Sequence, residues 1–251
     1  MKKSRDGIEW IEPGWPAPAN VRAASTLRIG GVSKAPFDTL NLALHVGDDA
    51  QAVTENRRRI RNVLQLPDEP CWLEQVHGVH VVNAASYPVP PKADACVAEE
   101  AGKVCVVMTA DCLPVLFCNR EGTAIAAAHA GWRGLAAGVL ANAVQALNCP
   151  SKDILTWLGP AIGCSTFEVG DDVRSVFVER DAANAICFRR NQNQRWLADL
   201  YQLARNELRA QGVTDIFGES ACTVTDASQF FSYRRDGQTG RMASMIWLQP
   251  G

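Results

Sequence analysis

Two hydrophobic periods share this chain. Across residues 49–65, Val53, Ile60, Val63 and Leu64 fall on one side of a helix, Arg57, Arg58 and Arg61 lie elsewhere, and Pro67 is the stop. Gly131 opens a second helical stripe of Leu135, Val139, Leu140, Ala143, Val144 and Leu147. A third runs through Leu200, Leu203, Ala204 and Leu208, between a capping Asp199 and a closing Gly212. Other apolar runs have strand length: residues 21–27, 104–109, 114–118, 123–128 and 242–248, with 220–224 as a further strand. Residues 71–76 and 79–84 read as short extended pieces around His77-Gly78. The turn cluster Asn119-Arg-Glu-Gly122 joins two of the runs into a hairpin. Helices and strands mix without regular alternation, which predicts an α/β fold with a mixed sheet.

Composition narrows the function classes. The 251 residues are 47% hydrophobic and 21% charged, which places the chain among globular proteins and not disordered ones. Lys+Arg is 25 against 27 Asp+Glu, so the net charge is −2. That balance argues against a general nucleic-acid or membrane-surface binder, while leaving room for a local basic pocket. The longest Pro-rich patch, residues 87–92, is too short for a domain linker. Residues 1–20 read as an N-terminal extension and 21–251 as a single domain. The nine cysteines are odd in number, form no C-x-x-C pair, and include Cys105 and Cys118 inside apolar runs. Reduced thiols in a reducing compartment fit better than a disulfide framework. The N-terminus lacks the apolar run of a signal peptide, and no stretch approaches the ~20 apolar residues of a membrane span. A cytoplasmic monomer with no membrane or nucleic-acid partner is expected.

The candidate chemistry lies among four histidines, His45, His77, His80 and His129. If 119–122 is a four-residue loop, Cys118 opposes Thr123 and Cys112 opposes His129. Directly opposed residues have Cβ atoms about 4.5–5.5 Å apart on one face. A thiolate and an imidazole so placed can share a zinc ion or form a nucleophilic Cys–His pair. They can also be simply packed, and the separations of His77, Cys112 and His129 match no short zinc motif.

The strings LEQVHG (73–78), TADCLPV (109–115), AHAGWRG (128–134), WLGPAIG (157–163) and FSYRRDGQTGRMAS (231–244) carry a resemblance, as does the block at 28–57. They resemble, in order and over most of the chain, the bacterial polyphenol oxidase or laccase-domain family. That family is also called the peptidoglycan-editing-factor or purine-nucleoside-phosphorylase family. The resemblance implies a four-layer α/β/β/α sandwich with mixed β-sheets, and one zinc held by His77, Cys112 and His129. It implies phosphorolysis of adenosine, inosine and methylthioadenosine, with adenosine deamination. Three protein ligands would leave a fourth position open, as in catalytic zinc sites. Copper chemistry is disfavoured, because a multicopper oxidase needs more than four histidines, in H-x-H pairs. A Cys112/His129 amidohydrolase acting on an amino-acid amide of peptidoglycan precursors is the alternative. Leu27 departs from the family, where Thr or Ser often precedes the Arg-x-Gly-Gly turn.

Other residues are weaker candidates. Arg133, at a helix start beside His129, suits a phosphate clamp. Arg28 and Ser33 flank a Gly-Gly turn whose N–H groups can face an anion. His45, Arg234 and Arg235 are candidates to line a nucleoside and phosphate pocket. Asp111 and Glu74 are candidate proton carriers by proximity to the ligands, although Asp111 needs a bend to face the site. Asp94, in KADACV, is a candidate to support the ligands. His80, three residues from His77 on extended chain, points to the opposite face and reads as a surface histidine.

Overall fold

The computed structural model describes residues 1–218 and 221–250. It is a mixed α/β protein with three sheets, their strands numbered in chain order. A five-stranded antiparallel sheet has the order β1 (Lys2–Arg5), β2 (Ile8–Ile11), β3 (Val21–Thr26), β14 (Met242–Leu248), β6 (Val104–Thr109). A six-stranded sheet has the order β13 (Asp215–Phe217), β9 (Ile154–Leu158), β7 (Leu113–Asn119), β8 (Ile125–Ala130), β5 (Ala95–Ala98), β4 (Val81–Asn83). Its two outermost pairs are parallel and the inner pairs antiparallel, so this sheet is mixed. A small antiparallel sheet holds β10 (Glu168–Val169), β12 (Trp196–Ala198) and β11 (Phe188–Arg190). Part of the N-terminal stretch 1–20 is strand: β1 and β2 extend the five-stranded sheet outward from β3.

Strand periodicity sorts the core into apolar layers. In β7, Leu116 and Cys118 face the other large sheet, packing with Cys105, Val107 and Ile246. Leu113, Val115 and Phe117 face the opposite way, among helical residues such as Leu135, Leu140 and Leu203. Successive side chains on a strand point to opposite faces, so a strand covered on both sides reads as a continuous apolar run. Val104, Val106, Met245 and Trp247 form the outer layer of the five-stranded sheet with Ile60 and Val63. Those two belong to α1 (Ala50–Leu64), capped by the Asp49 carboxylate. Helices α2 (Trp132–Ala137), α3 (Val139–Ala146), α4 (Asp171–Arg180) and α5 (Leu200–Ala210) contribute to the layer outside the six-stranded sheet. A last short helix, α6 (Tyr233–Asp236), starts at Ser232.

Several expectations shift. The hairpin connection is two residues longer than predicted: Cys118 pairs with Ile125, and His129 with Pro114 instead of Cys112. The Asn119 carboxamide is the cause. Its Oδ1 accepts from the N–H groups of Thr123 and Ala124 at 2.8 and 3.0 Å, drawing both residues into the turn. A two-residue slip preserves the face of a strand, so Cys112 becomes a diagonal neighbour of His129 on the same side. The helical stripe after Gly131 breaks into α2 and α3 at Gly138, whose φ of +99° suits glycine. Of the strand expected at 220–224, Ser220 lies outside the described residues, and Cys222 makes only an isolated bridge to Ala161. Residues 71–76 likewise contribute single bridges at Cys71 and Glu74 and no strand.

Candidate metal centre and its cavity

The site forms where the chain crosses between the two large sheets. Strands β6 and β7 belong to different sheets, and residues 110–112 make the crossing. Asp111 supplies the bend with φ +92°, a conformation few non-glycine residues adopt. Its carboxylate braces that bend: Oδ1 accepts from the Thr223 hydroxyl at 2.6 Å and Oδ2 from the Arg234 N–H at 2.7 Å. Both oxygens are thus held by fixed donors. Asp111 lines the cavity and braces the bend.

His77 comes from a loop tied to both sheets. The Gln75 carboxamide completes a ladder on the free edge of β6, donating to Met108 O at 2.8 Å and accepting from Met108 N–H at 2.7 Å. The next three N–H groups, of Val76, His77 and Gly78, all donate to the Asp94 carboxylate, at 3.2, 3.0 and 2.6 Å. His77 itself has φ +60°. His129, near the end of β8, is buried, and its Nδ1 lies 2.8 Å from Asp94 Oδ1. Asp94, fully buried at the start of β5, therefore touches both histidine segments.

The ligand atoms of His77, Cys112 and His129 all lie within 4.8 Å of one another. Cys112 Sγ is 3.8 Å from His77 Nε2. Two ligands on a tetrahedral zinc, with bonds of about 2.3 Å to sulfur and 2.0–2.1 Å to nitrogen, stand roughly 3.6 Å apart. The spacing and the donor set fit a borderline-soft divalent ion, so this group can hold a metal ion. Gly131 is required here: a Cβ would stand 2.9 Å from Cys112 Sγ and 2.9 Å from His77 Cδ2.

The electrostatics favour ligation. Burial pushes the Cys112 thiol up, but the His129 and His77 rings outweigh it and bring it down to about 6. Burial pulls His129 down, yet Cys112 and Asp94 together raise it to about 9. The two shifts favour a thiolate facing an imidazolium in the absence of metal. Burial would raise Asp94, and the His129 ring with the loop N–H groups holds its carboxyl below the usual range.

A cavity of about 400 Å³ opens above the cluster. Met108, Ile162, Phe167 and Leu200 give it apolar walls, and His45, Arg133, Arg234 and Arg241 bring cationic or polar groups. Burial, then Arg241 and Arg57, hold His45 below the usual histidine range. Arg133 is exposed and stacks on Trp132, 4.5 Å from the ring centre. Arg234 donates one N–H to Glu168 O.

Arg28, Ser33 and Arg235 do not line the cavity. Arg28 spends its donors on the carbonyls of Asp38 and Ala227. The Ser33 hydroxyl is buried and accepts from Asn56. Arg235 is bound to the carbonyls of Thr223, Val224 and Phe230. Glu74 and His80 are exposed and also lie outside the lining. Arg241, Phe167, Ile162 and Gln75 are among the lining residues that sequence reasoning missed. Arg241 stands inside the string FSYRRDGQTGRMAS, but nothing in that string separates a cavity arginine from a bracing one.

A family model described as multi-copper polyphenol oxidoreductase laccase matches residues 22–249. A Pseudomonas aeruginosa protein named purine nucleoside phosphorylase PA4543 is 54% identical over 241 residues, covering 96% of this chain and 98% of that one. An Escherichia coli protein named purine nucleoside phosphorylase YfiH is 54% identical over 239 residues, covering 95% and 98%. The crystal structure of Neisseria meningitidis protein NMB0706 superposes with a TM-score of 0.93 at 49% identity, covering 96% of this chain and 99% of that one.

Proposed function

Because the chain belongs to the family described as multi-copper polyphenol oxidoreductase laccase, we propose that it is a purine nucleoside phosphorylase with one zinc at His77, Cys112 and His129. Its substrates are adenosine, inosine and methylthioadenosine, and adenosine deamination is a second activity. The observation that carries this reading is the His77–Cys112–His129 cluster at a cavity with apolar walls and three arginines, in a chain whose relatives are named for this activity. A volume of about 400 Å³ lies within the range of small-molecule sites.

In phosphorolysis a phosphate oxygen bonds to ribose C1′ as the bond from C1′ to purine N9 breaks. The electron pair leaves with the purine, which takes up a proton. Arg133, Arg234 and Arg241 supply planar donors suited to the phosphate. Phe167 and Ile162 offer apolar surface to the base and sugar. Zinc, when bound, supplies Lewis-acid polarisation and a water of lowered pKa. The alternating apolar layers also support reading the stack as a four-layer α/β/β/α sandwich.

The Cys112 thiolate beside a protonated His129 favours one other reading, an amidohydrolase acting on an amino-acid amide of peptidoglycan precursors. A product screen over nucleosides and muropeptide precursors, with and without inorganic phosphate, separates the two. Free base and ribose 1-phosphate appearing only with phosphate is the expected result. Phosphate-independent release of an amino acid would overturn it.

A further inference from the structure

We propose that Asp94 is the positioning residue of the metal site, one buried carboxylate that sets both histidine ligands at once. The inference rests on the metal reading above. Oδ1 accepts from His129 Nδ1–H at 2.8 Å and from the His77 N–H at 3.0 Å. Oδ2 takes the Val76 and Gly78 N–H groups at 3.2 and 2.6 Å. Every partner of this carboxylate is a donor. A proton fixed on His129 Nδ1 leaves Nε2 with a free lone pair, the tautomer that a metal-facing imidazole needs. The same carboxylate gathers three consecutive N–H groups and so holds His77 in its left-handed conformation. The backbone of Asp94 adds a third tie, its carbonyl accepting from His129 N–H at 2.7 Å. Ligands from two segments 52 positions apart in the chain thus share one anchor.

Asp94→Asn is isosteric and discriminates sharply. With the amide nitrogen toward the loop, NH₂ meets the N–H groups of Val76 and Gly78, donor against donor. With the amide nitrogen toward His129, it demands a bare Nδ1 and moves the proton to Nε2, which blocks ligation. Neither orientation keeps both histidines in place.

The wild-type protein is measured first, by zinc titration against a competing chromophoric chelator and by long-range ¹H–¹⁵N spectra of its imidazoles with zinc bound. The expected spectrum has His129 protonated at Nδ1 and bare at Nε2. Asp94→Asn should weaken zinc roughly 10- to 100-fold and alter the His129 pattern. A wild-type spectrum with His129 bare at Nδ1 overturns the proposal whether or not the variant folds. So does a folded variant with unchanged affinity and unchanged tautomer, which leaves Asp94 a purely structural role. A wild-type protein that takes no zinc refutes the metal reading itself, and this inference with it.

Discussion

Cys112 is chemically unlike the thiols around it. Cys105 and Cys118 are fully buried between the sheets, as their apolar neighbours in sequence predict. Cys112 is partly exposed and faces two imidazoles. Cys112→Ala should therefore abolish most zinc binding, whereas Cys105→Ala and Cys118→Ala should retain one ion per chain, read by elemental analysis. The Cys112 thiol is lowered to about 6, so its reactive thiolate is populated above that pH and lost below it. In metal-free protein, iodoacetamide labelling of Cys112 should rise through about pH 6, against about 8.5 for an ordinary cysteine. Labelling that rises only near 8.5 would refute the thiolate–imidazolium pair. Cys112 and His129 were legible as a same-face pair from strand pairing, whereas His77 joined them only through the resemblance carried by LEQVHG. The arginines were not legible: Arg28, Arg235 and Arg241 look alike in sequence and all three donate to backbone carbonyls, yet of the three only Arg241 lines the cavity.

Among the elements, α1 and α5 were legible end to end, because the carboxylates of Asp49 and Asp199 accept from the first-turn N–H groups of Gln51 and Gln202. The hairpin between β7 and β8 was legible in kind but not in register. Its length depends on Asn119, whose Oδ1 accepts from the Thr123 and Ala124 N–H groups while its own N–H donates to Ala124 O. The face of Cys112 survived the two-residue error because strand periodicity is two. A one-residue error would not have been forgiven. Deleting one residue within 119–124 should therefore shift the register or force a bulge, and part His129 from Cys112. Zinc content should fall in that variant even where circular dichroism reports a folded chain. A deletion within 87–92 should leave zinc in place, since that loop holds no ligand. The three strands β10 to β12 escaped sequence reading because each is two or three residues long, too short for a period to show.

Across the whole molecule the metal site works as a seam. The loop carrying His77 is tied to β6 through Gln75 and to the start of β5 through Asp94, and the Cys112 bend links β6 to β7. An ion bound there would join elements of both large sheets and stabilise the fold to the extent that it prefers the folded state. At a free zinc concentration of 100 Kd the gain is about 2.7 kcal/mol. For a chain of this size that corresponds to a rise in Tm of roughly 5–10 °C, which Cys112→Ala should lack; scanning calorimetry reads both. The mixed α/β class was legible from the apolar runs, but the division of strands between two sheets was not. Consecutive strands β6 and β7 are read naturally as neighbours, and only the bend at Asp111 sends them to different sheets.

The central claim is that nucleoside phosphorolysis depends on metal held by His77, Cys112 and His129. Its most direct test is the initial rate of ribose 1-phosphate formation from adenosine or inosine, followed while zinc is stripped by a chelator and then restored. The rate should fall in proportion to zinc per chain, reach background in metal-free protein, and return on reloading, with Cys112→Ala at background throughout. Full activity in metal-free protein, abolished by alkylation of Cys112, would contradict the account and make the thiolate the catalyst.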